Sequence, residues 1–569
     1  MKTADKKTVA EHLKKYINYF TVEEIENLIE IPPPGIKYSY AFPTFRLSKF
    51  EKKDPKSIAK DLEKKLEPTD FLAETKAEGP YLNFQINSRL VLENVFKFER
   101  DCGRIRHMLK KKALKPLNVV IEYPSPNTNK PLHLGHVRNL LIGKSLSNLL
   151  EYKGDKVYQV NLNNDRGIHI CKSMVGYDRW FKGKEPEIKS DHFVGLTYVK
   201  FSMNEDDQLK EEAETYLIKW EQNDPETIAL WKKMNKWALD GFRETYEKFE
   251  ISFDKEYFES DFYMKGKEKI LEGYKKGIFK KGEDGAIVAR LQESTGLPDK
   301  VLLRSDGTSI YITQDIYLAY LKKQDFNYDK SIYVVGNEQD LYFKQLFAVL
   351  NLLGFKEDKY HLSYGMISLP EGKMKSREGT VVDADNIVEE MINLAFEEVN
   401  KRYPWLSEEE KRNRAKVIGM AALKFFILKY NPKYDFVFNP KESLSFEGET
   451  GPYIQYCYAR IHSIINKSKE EINLDVNFVL LNHEKEIILI NQLIYFPETV
   501  DAAIKSYGIH LIPQYLLSLG QAFNSFYSEC QVISENKELE RARLLLIKCV
   551  QIVIKVGLNL LSIETLDEM

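Results

Sequence analysis

The stretch NVVIEYPSPNTNKPLHLGHVRNLLIGKSLSNLLEYKGDKVYQVNL (residues 118–162) contains the elements that decide the fold. Its first part, residues 118–123, is an apolar run of the kind that forms a buried parallel strand. Prolines and asparagines then interrupt regular structure. Residues 135–154 carry apolar side chains at helical spacing and end at Gly154, and residues 156–162 predict a second strand. Strand, loop, helix and strand form a βαβ unit, the building block of a doubly wound sheet.

The start of the predicted helix carries a candidate anion site. His133 and His136 are three positions apart and lie on one face of its first turn. A helix N-terminus adds free N–H groups and partial positive charge. Gly135 leaves room for a flat base, Pro131 suits the entry to a helix, and Lys130 adds a cation. The segment therefore favours binding of a nucleotide through its phosphates.

Three other interpretations of these histidines compete with nucleotide binding at this point. A Walker phosphate loop around Gly143 fails, because the glycine it needs five positions earlier is replaced by Arg138. A metal site would need a third ligand, and none is suggested nearby. Two ordinary surface histidines are the commonest outcome for an isolated HxxH pattern.

A second segment favours the nucleotide-binding interpretation of His133 and His136. EGKMKSREGT (371–380) is a basic loop bounded by glycines, and it follows a late strand of the same α/β pattern. A long, charged and mainly helical region at about 170–300 interrupts that pattern like an insertion. The other elements predicted for this core are strands 308–313, 331–336 and 361–369 and a helix 340–354. A basic loop and an HxGH turn in one sheet together predict a clamp for a triphosphate.

Composition bounds the class of protein. The chain has 569 residues, a net charge of -2 and 30% charged residues, so no global basic field indicates nucleic acid. No apolar run reaches the roughly 18 residues that span a membrane, and the N-terminus lacks a stretch of signal-peptide type. The cysteines are scattered and never spaced as CxxC: Cys102, Cys171, Cys457, Cys530 and Cys549. We therefore expect a cytoplasmic protein without a structural zinc site.

Four local patterns now carry a family resemblance that covers nearly the whole chain. They are EYPSPNTNKPLHLGH (122–136), YITQDI (311–316), GNEQDLYFKQ (336–345) and EGETGPYIQY (447–456). FNSFYSECQV (523–532) and the closing LLSIETLDEM add a fifth. The HxGH turn and the basic loop resemble the HIGH and KMSKS signatures of class I aminoacyl-tRNA synthetases. The four patterns narrow the resemblance to the arginyl-tRNA synthetases.

The resemblance implies the fold class and the domains. We expect an α/β protein whose doubly wound, Rossmann-like catalytic core spans residues 116–385. An α+β N-terminal domain that binds tRNA would span residues 1–115. An all-α stem and anticodon-binding domain would span residues 386–569.

The resemblance also implies residues that bind ATP and arginine. Lys130, His133, His136 and Lys373 would be catalytic. The residues expected to bind ATP are Lys130, His133, Gly135, His136, Met366, Lys373, Met374 and Lys375. Those expected to bind arginine are Glu122, Asn127, Tyr311, Asp315 and Gln339. Asp315 would pair with the planar guanidinium, and the alternative for Asp315 is a helix N-cap.

The KMSKS-like loop departs from the family pattern. A gapless match places Lys373 and Met374 correctly but puts Lys375 in the Ser position and Ser376 in the position of the second lysine. Arginyl enzymes as a family often lack that lysine, and a lysine before the HIGH signature is thought to replace it. Lys130 stands there, so we expect Lys130 and Lys373 to carry the charge.

Contact with RNA is expected from aromatic and amide side chains rather than from net charge. Residues 441–569 hold 11 Lys and Arg against 17 Asp and Glu. Single-stranded loops are read by stacking and base-edge hydrogen bonds. The candidates are Tyr453, Gln455, Tyr456, Asn524, Phe526 and Tyr527. The alternative for each is the core of a helical bundle.

The implied reaction joins L-arginine to tRNA(Arg) by way of arginyl-adenylate, with ATP as substrate and Mg²⁺ on its phosphates. We expect a monomer without a membrane partner, without a protein-bound metal and without an editing domain. Another class I synthetase is one alternative, but the cysteinyl enzyme would need a set of zinc ligands that these scattered cysteines do not supply. A small nucleotidylyltransferase would not need the long helical C-terminus. A non-catalytic RNA-binding relative is the remaining alternative.

Overall fold

The N-terminal part of the computed structural model combines helices with a small antiparallel sheet. The structure describes residues 5–33, 35–67, 69–100, 116–307, 311–370 and 382–569. The first elements are α1 (Lys6–Leu13), α2 (Val22–Leu28), β1 (Tyr40–Pro43), α3 (Phe45–Glu51), α4 (Pro55–Lys65), β2 (Leu72–Glu78), β3 (Tyr81–Ile86) and α5 (Ser88–Arg100). The sheet order is β1-β3-β2, with both pairings antiparallel. This confirms the α+β prediction for the N-terminal region.

The central part is built on a five-stranded parallel sheet. Its first elements are β4 (Asn118–Glu122), α6 (Leu134–Lys153), β5 (Lys156–Asn163), α7 (Ile168–Trp180), α8 (Ser190–Met203), α9 (Asp207–Glu221), α10 (Pro225–Lys248), β6 (Lys255–Phe258), α11 (Glu259–Phe262) and α12 (Lys265–Lys275). They are followed by β7 (Lys280–Lys281), β8 (Ile287–Ala289), α13 (Gln292–Thr295), β9 (Lys300–Leu303), α14 (Tyr311–Phe326), β10 (Lys330–Gly336), α15 (Asp340–Leu352), β11 (Asp358–Tyr364) and β12 (Ile367–Ser368).

The order of the strands creates a switch point in this sheet. The sheet runs β11-β10-β4-β5-β6, and every neighbouring pair is parallel. The chain moves outward from β4 through β5 to β6, then returns to the other side of β4 with β10 and β11. This is the doubly wound order, in which ligands bind beyond the carboxyl ends of the strands where the order reverses. The predicted Rossmann-like core is confirmed.

The helix α6 packs directly on the central strand. Apolar side chains around most of its circumference are buried, and Gly154 ends it in the left-handed conformation at φ 105°. Gly143 lies against the buried ring of Tyr123, whose hydroxyl donates to Gln159 Oε1 at 2.6 Å. The helix can approach β4 this closely because position 143 has no side chain.

Two predictions for the core need correction. The predicted strand 308–313 is wrong for residues 311–313, which form the first turn of α14, while residues 308–310 lie outside the described residues. The predicted helical insertion at about 170–300 is helical through α10. Its second half instead contains β6, the edge strand of the main sheet, and a small antiparallel sheet of order β7-β8-β9.

The C-terminal part is helical, as predicted. Its elements are α16 (Ala384–Arg402), α17 (Glu408–Leu428), β13 (Phe436–Val437), α18 (Pro440–Ser443), α19 (Gly451–Lys467), α20 (Glu484–Ser506), α21 (Leu511–Glu529) and α22 (Lys537–Leu560). The two-residue strand β13 pairs in parallel with β12.

The chain forms two compact units. One comprises Leu114–Leu394 and Tyr430–Pro440 and contains the main sheet; we call it the sheet unit. The other, the helical unit, comprises Met1–Ala113, Ala395–Lys429 and Lys441–Met569.

One helix among the described residues, α20, is long and apolar enough to cross a membrane by length and composition. Half of the most apolar stretch of α20 is buried inside the protein, and its fully buried Glu486 pairs with Arg543 at 2.7 Å. These features are those of a core helix within the helical unit.

The contact between α6 and β4 predicts a cost for any side chain at position 143. A Cβ on Gly143 would lie 2.6 Å from Cδ1 of Tyr123, so we expect Gly143→Ala to lower the free energy of unfolding by about 1–3 kcal/mol. Urea unfolding followed by circular dichroism measures this change. Lys144→Ala on the same helix is the control and should change stability by less than about 0.5 kcal/mol. Because alanine favours helices over glycine, a more stable Gly143→Ala protein would contradict the contact.

Candidate active site

The predicted nucleotide and substrate residues gather at the switch point of the sheet. Glu122 ends β4, and the loop that follows it leads into α6. This loop is pinned to the end of β5, since Thr128 N donates to Asn164 O at 3.2 Å and Asn164 N to Pro126 O at 3.0 Å. The loop after β10 leads through Gln339 into α15. Both loops leave the same edge of the sheet, where a ligand can reach them.

The first turn of α6 is capped by its own histidines. His133 N donates to His136 Nδ1 at 3.1 Å, and Gly135 N donates to His133 Nδ1 at 3.2 Å. The two rings lie 3.9 Å apart between centroids. Burial lowers the pKa of His133 to about 4 and lowers the pKa of His136 well below its usual value. Both rings are therefore neutral, and because each Nδ1 accepts a hydrogen bond, each Nε2–H remains as a donor.

Lys130 adds a cation beside this turn. Burial lowers its pKa, and within the described part of the chain it forms no ion pair. The same ammonium further lowers the pKa of His133 and of His136. An unpaired ammonium, two imidazole N–H groups and a helix N-terminus are all donors, so this set fits an anion better than a metal ion.

Arg138 connects α6 to the chain that precedes the basic loop, and the sequence analysis missed this role. Its guanidinium is 1% exposed and donates to the carbonyls of Gly365, Met366, Pro432 and Tyr434. It also lies 4.7 Å from the ring centroid of Phe436. Burial lowers its pKa to about 10, so it stays charged at neutral pH. The available signal was an arginine among the buried apolar positions of a helix.

The chain that follows the basic loop pairs with the entry to α6. Leu134 N donates to Val382 O at 3.0 Å, and Ala384 N donates to Leu132 O at 2.9 Å. His133 and Asp383 thereby face each other across a short antiparallel bridge. Three predicted residues, Lys373, Met374 and Lys375, lie outside the described residues. Met366 is described, and its side chain is exposed.

Asp315, a half-buried residue of α14, forms the centre of an acidic site. Its carboxylate accepts a hydrogen bond from the hydroxyl of Tyr342 on α15, whose role the sequence pattern did not indicate. The pKa of Asp315 is raised to about 7, chiefly by burial and also by the charge of Glu122, against the lowering effects of the Tyr342 hydrogen bond and Lys322. A buried carboxylate that gains from ionisation only when a cation arrives suits a cationic ligand.

Glu122 is held by a buried lysine that the sequence analysis also missed. Lys322 is fully buried and donates to Glu122 Oε2 at 2.8 Å and to Ser331 Oγ at 3.3 Å. Its ammonium lies 3.8 Å from the ring centroid of Tyr333. Although burial opposes the charge, Glu122 and the two nearby tyrosines raise the pKa of Lys322. Lys322 lies seven positions after Asp315 on the same face of α14, which was the available signal.

The other predicted arginine residues lie at the rim. Tyr311 begins α14 and is 74% exposed, and its position four before Asp315 places both on one helix face. Asn127 and Gln339 are exposed in the loops after β4 and β10. Asp315 is not the N-cap of α14, since it lies in the second turn.

The helical unit carries a cavity of about 460 Å³ lined by aromatic and charged side chains. Arg460 lies 4.6 Å from the ring centroid of Tyr456 and 5.0 Å from that of Tyr527. Its guanidinium donates to Asn524 Oδ1 at 2.9 Å, and Asn524 donates to the hydroxyl of Tyr453 at 2.8 Å. Four predicted RNA residues thus belong to one connected group around Arg460.

Two predicted RNA residues lie inside the bundle instead. Phe526 is completely buried, and no face of its ring is open to a base. Gln455 is also buried and donates to Glu564 O at 2.7 Å. The helical periodicity of α19 and α21 turns both residues inward, so they stabilise the helical unit and the expectation of base contact is corrected for them. Trp405, which is 73% exposed and lines the cavity, was missed.

Three family models match the chain. The model "tRNA synthetases class I (R), catalytic domain" matches residues 104–440. "Arginyl tRNA synthetase N terminal domain" matches residues 5–86. "DALR anticodon binding domain" matches residues 454–569. The first model alone covers more than half of the chain.

Curated relatives match over nearly the full length. An arginine–tRNA ligase of Treponema denticola is 44% identical and covers 95% of this chain and 94% of its own. One of Bacteroides fragilis is 43% identical and covers 92% of each chain.

Solved structures share the fold. Arginyl-tRNA synthetase of Thermus thermophilus superposes with a TM-score of 0.78 at 25% identity, covering 95% of this chain and 96% of that chain. The enzyme of Plasmodium falciparum gives a TM-score of 0.80 over both whole chains, and its 21% identity supports the fold alone. By the match of its catalytic region and by its full-length relatives, the chain belongs to the arginyl-tRNA synthetase family of class I aminoacyl-tRNA synthetases.

Proposed function

We propose that this chain is an arginine–tRNA ligase that works through the donor set of α6 and the Asp315 site. The carboxylate of L-arginine attacks the α-phosphorus of ATP, and the bond from that phosphorus to the β-phosphate oxygen breaks. Arginyl-adenylate and pyrophosphate result. A hydroxyl of the terminal ribose of tRNA(Arg) then attacks the activated carbonyl, and AMP leaves.

One observation carries this proposal. A set of anion donors, Lys130 with His133 and His136, and a half-buried carboxylate, Asp315, lie at the same edge of one parallel sheet. An anionic nucleotide and a cationic amino acid can therefore meet there. A nucleotidylyltransferase would need only the first group, and a protein that only binds RNA would need neither.

The first step asks for position and charge neutralisation rather than for a base. The Nε2–H groups of the neutral histidines would donate to phosphate oxygens as charge moves onto pyrophosphate, and the Lys130 ammonium would regain a favourable environment against that charge. We also propose that Lys373 assists from the basic loop. Mg²⁺ would arrive with ATP and neutralise part of the triphosphate charge.

We propose that the cavity around Arg460 receives the anticodon arm of tRNA. Aromatic rings held against a guanidinium offer flat faces to unpaired bases, and stacking on them tolerates any sequence. Arg414 pairs with Glu568 at the cavity wall at 2.9 Å, whereas Arg460 and Lys467, which also line the cavity, form no ion pair among the described residues and supply positive charge. We further propose a monomeric, cytoplasmic enzyme.

The reaction is tested by ATP–pyrophosphate exchange with each of the twenty amino acids, with and without tRNA. We expect exchange with arginine and with no other amino acid. Exchange that needs tRNA as well would match the habit of the family. Exchange supported by a different amino acid would contradict the assignment.

The Asp315 site predicts that arginine affinity depends on pH. The guanidinium binds the ionised carboxylate, so the KM for arginine should fall as pH rises through the Asp315 pKa of about 7. At pH 6 only about a tenth of the carboxylate is ionised, which predicts a KM about ten-fold above its plateau at pH 8. Steady-state exchange at fixed ATP measures this. Burial also raises the pKa of nearby Glu259 to about 7, so Asp315→Asn must abolish the effect if Asp315 is responsible.

Tyr342→Phe is the matched variant for this profile. Removing the hydroxyl removes a hydrogen bond that lowers the pKa of Asp315. The midpoint of the KM profile should move to higher pH, while kcat at saturating arginine stays near that of the wild type. A profile that does not move would show that another group controls arginine binding.

The cavity predicts a loss of tRNA affinity without loss of arginine activation. Tyr456→Ala and Tyr527→Ala should each raise the KM for tRNA by about 10- to 100-fold, since stacking is worth about 1–3 kcal/mol per base. Aminoacylation at varied tRNA concentration measures this. Val479→Ala, which alters an exposed apolar residue of the same unit outside the cavity lining, is the control. An unchanged KM for tRNA in both tyrosine variants would move the anticodon site elsewhere.

A further inference from the structure

Three buried carboxylates and three cations form an ion cluster between the helical insertion and the start of α16. Asp385 accepts from Lys189 Nζ at 2.7 Å, Lys248 Nζ at 2.6 Å and Thr245 Oγ1 at 3.1 Å. Lys189 also donates to Asp191 Oδ2 at 3.1 Å. His192 Nε2 lies 3.1 Å from Asp383 Oδ2 and 3.4 Å from Asp385 Oδ2. We call these seven residues the ion cluster.

The cluster is a closed set of ion pairs rather than a cation site. Asp191, His192 and Asp385 bring atoms that could hold a metal ion within 4.8 Å of one another. Protein cations already occupy these carboxylates, however, and the pairs with Asp383 and Asp385 raise the pKa of His192 to about 10. Burial opposes ionisation of Asp385, yet His192, Lys189 and Lys248 together hold its pKa far below the usual value. Three negative and three positive groups therefore balance.

Two carboxylates of the cluster belong to the chain that pairs with the first turn of α6. Asp383 and Asp385 flank Ala384, whose N–H donates to Leu132 O, and Val382 O accepts from Leu134 N. His133 lies between these two hydrogen bonds, opposite Asp383. A displacement of residues 382–385 would therefore move His133 directly.

Two helices of the insertion, α8 and α10, also contact the segment before α6 that carries Thr128 and Pro131. Gly195 on α8 lies against the ring of Pro131, and a Cβ there would come 2.6 Å from Pro131 Cδ. On α10, Asn235 accepts a hydrogen bond from the hydroxyl of Thr128. The segment that carries Lys130 and His133 is thus supported by α8 and α10 at three places. Two are the direct contacts at Pro131 and Thr128, and the third runs through the ion cluster and residues 382–385.

We propose that His192, Lys189 and Lys248 are positioning residues for adenylate formation, which act by holding residues 382–385 and through them the α6 turn. The inference rests on the proposed function, because it assigns these residues to the same reaction. None of them touches the reacting atoms. Their effect is on the geometry of the phosphate donors, and the Asp315 site on α14 does not depend on them.

His192→Gln and Lys248→Met test this role in the full-length protein. We expect each to lower kcat/KM for ATP in arginine-dependent exchange by about 10- to 100-fold, as for a small misplacement of binding groups. The KM for arginine should stay within two-fold of the wild type. Lys248→Arg, which keeps the charge and can reach Asp385, should recover most of the loss.

The control is Lys236→Met on the same helix, which removes an exposed ion pair with Asp240 and should leave all constants unchanged. Thermal unfolding of each variant identifies a general loss of structure. A parallel rise in the KM for arginine, no recovery in Lys248→Arg, or wild-type kinetics in both variants would each overturn the inference. If His192→Gln fails to fold, Lys248→Met and Lys248→Arg decide, because Lys248 is at the exposed rim of the cluster. Absence of arginine exchange in the wild type would instead overturn the proposed function.

Discussion

The buried guanidinium of Arg138 is the constraint on which the site depends. No carboxylate among the described residues pairs with it, so main-chain carbonyls must satisfy its donors. A buried charge left without partners costs several kcal/mol. The carbonyls at 365–366 and at 432–434 therefore have to stay against α6, although more than 220 residues of chain separate Arg138 from either segment. The Arg138 side chain thus links α6 to the chain that enters the basic loop.

The chain leaving that loop is attached to the same turn by different chemistry. There the contacts are backbone hydrogen bonds between 132–134 and 382–384, reinforced by the ion cluster. Hydrogen bonds between main chains fix register but not lateral position, and the charged side chains supply the second restraint. The chain segments before and after the basic loop are therefore both held against the first turns of α6. Lys130 lies three residues before His133, so the same restraints act on the segment that carries its ammonium.

Part of this arrangement could be predicted from the sequence because it is encoded locally. The apolar run at 118–123 and the helical spacing up to Gly154 predict β4 and α6 within one residue of their ends. The strand prediction is wrong at residues 311–313 because apolar residues there also fit the first turn of a helix. Arg138, Lys322 and Asp385 could not be assigned, since a charged residue whose partner is distant in sequence has the same local pattern as a surface residue. Phe526 shows the converse: its neighbours suggested RNA contact, and its helical phase buries it.

As the proposed arginine pocket, the acidic site would prefer a guanidinium without becoming strongly negative. Two carboxylates, Glu122 and Asp315, lie near each other in a buried region, where two unpaired charges would repel. Lys322 neutralises Glu122 within the protein, which leaves Asp315 as the carboxylate that a ligand must neutralise. Tyr342 then keeps Asp315 oriented and partly stabilised while no ligand is bound. A neutral side chain of similar shape would leave Asp315 buried without a counterion, and such an unpaired polar group is what rejects a wrong substrate most strongly. In the proposed arginine site, discrimination would therefore arise from the cost of leaving one carboxylate unpaired.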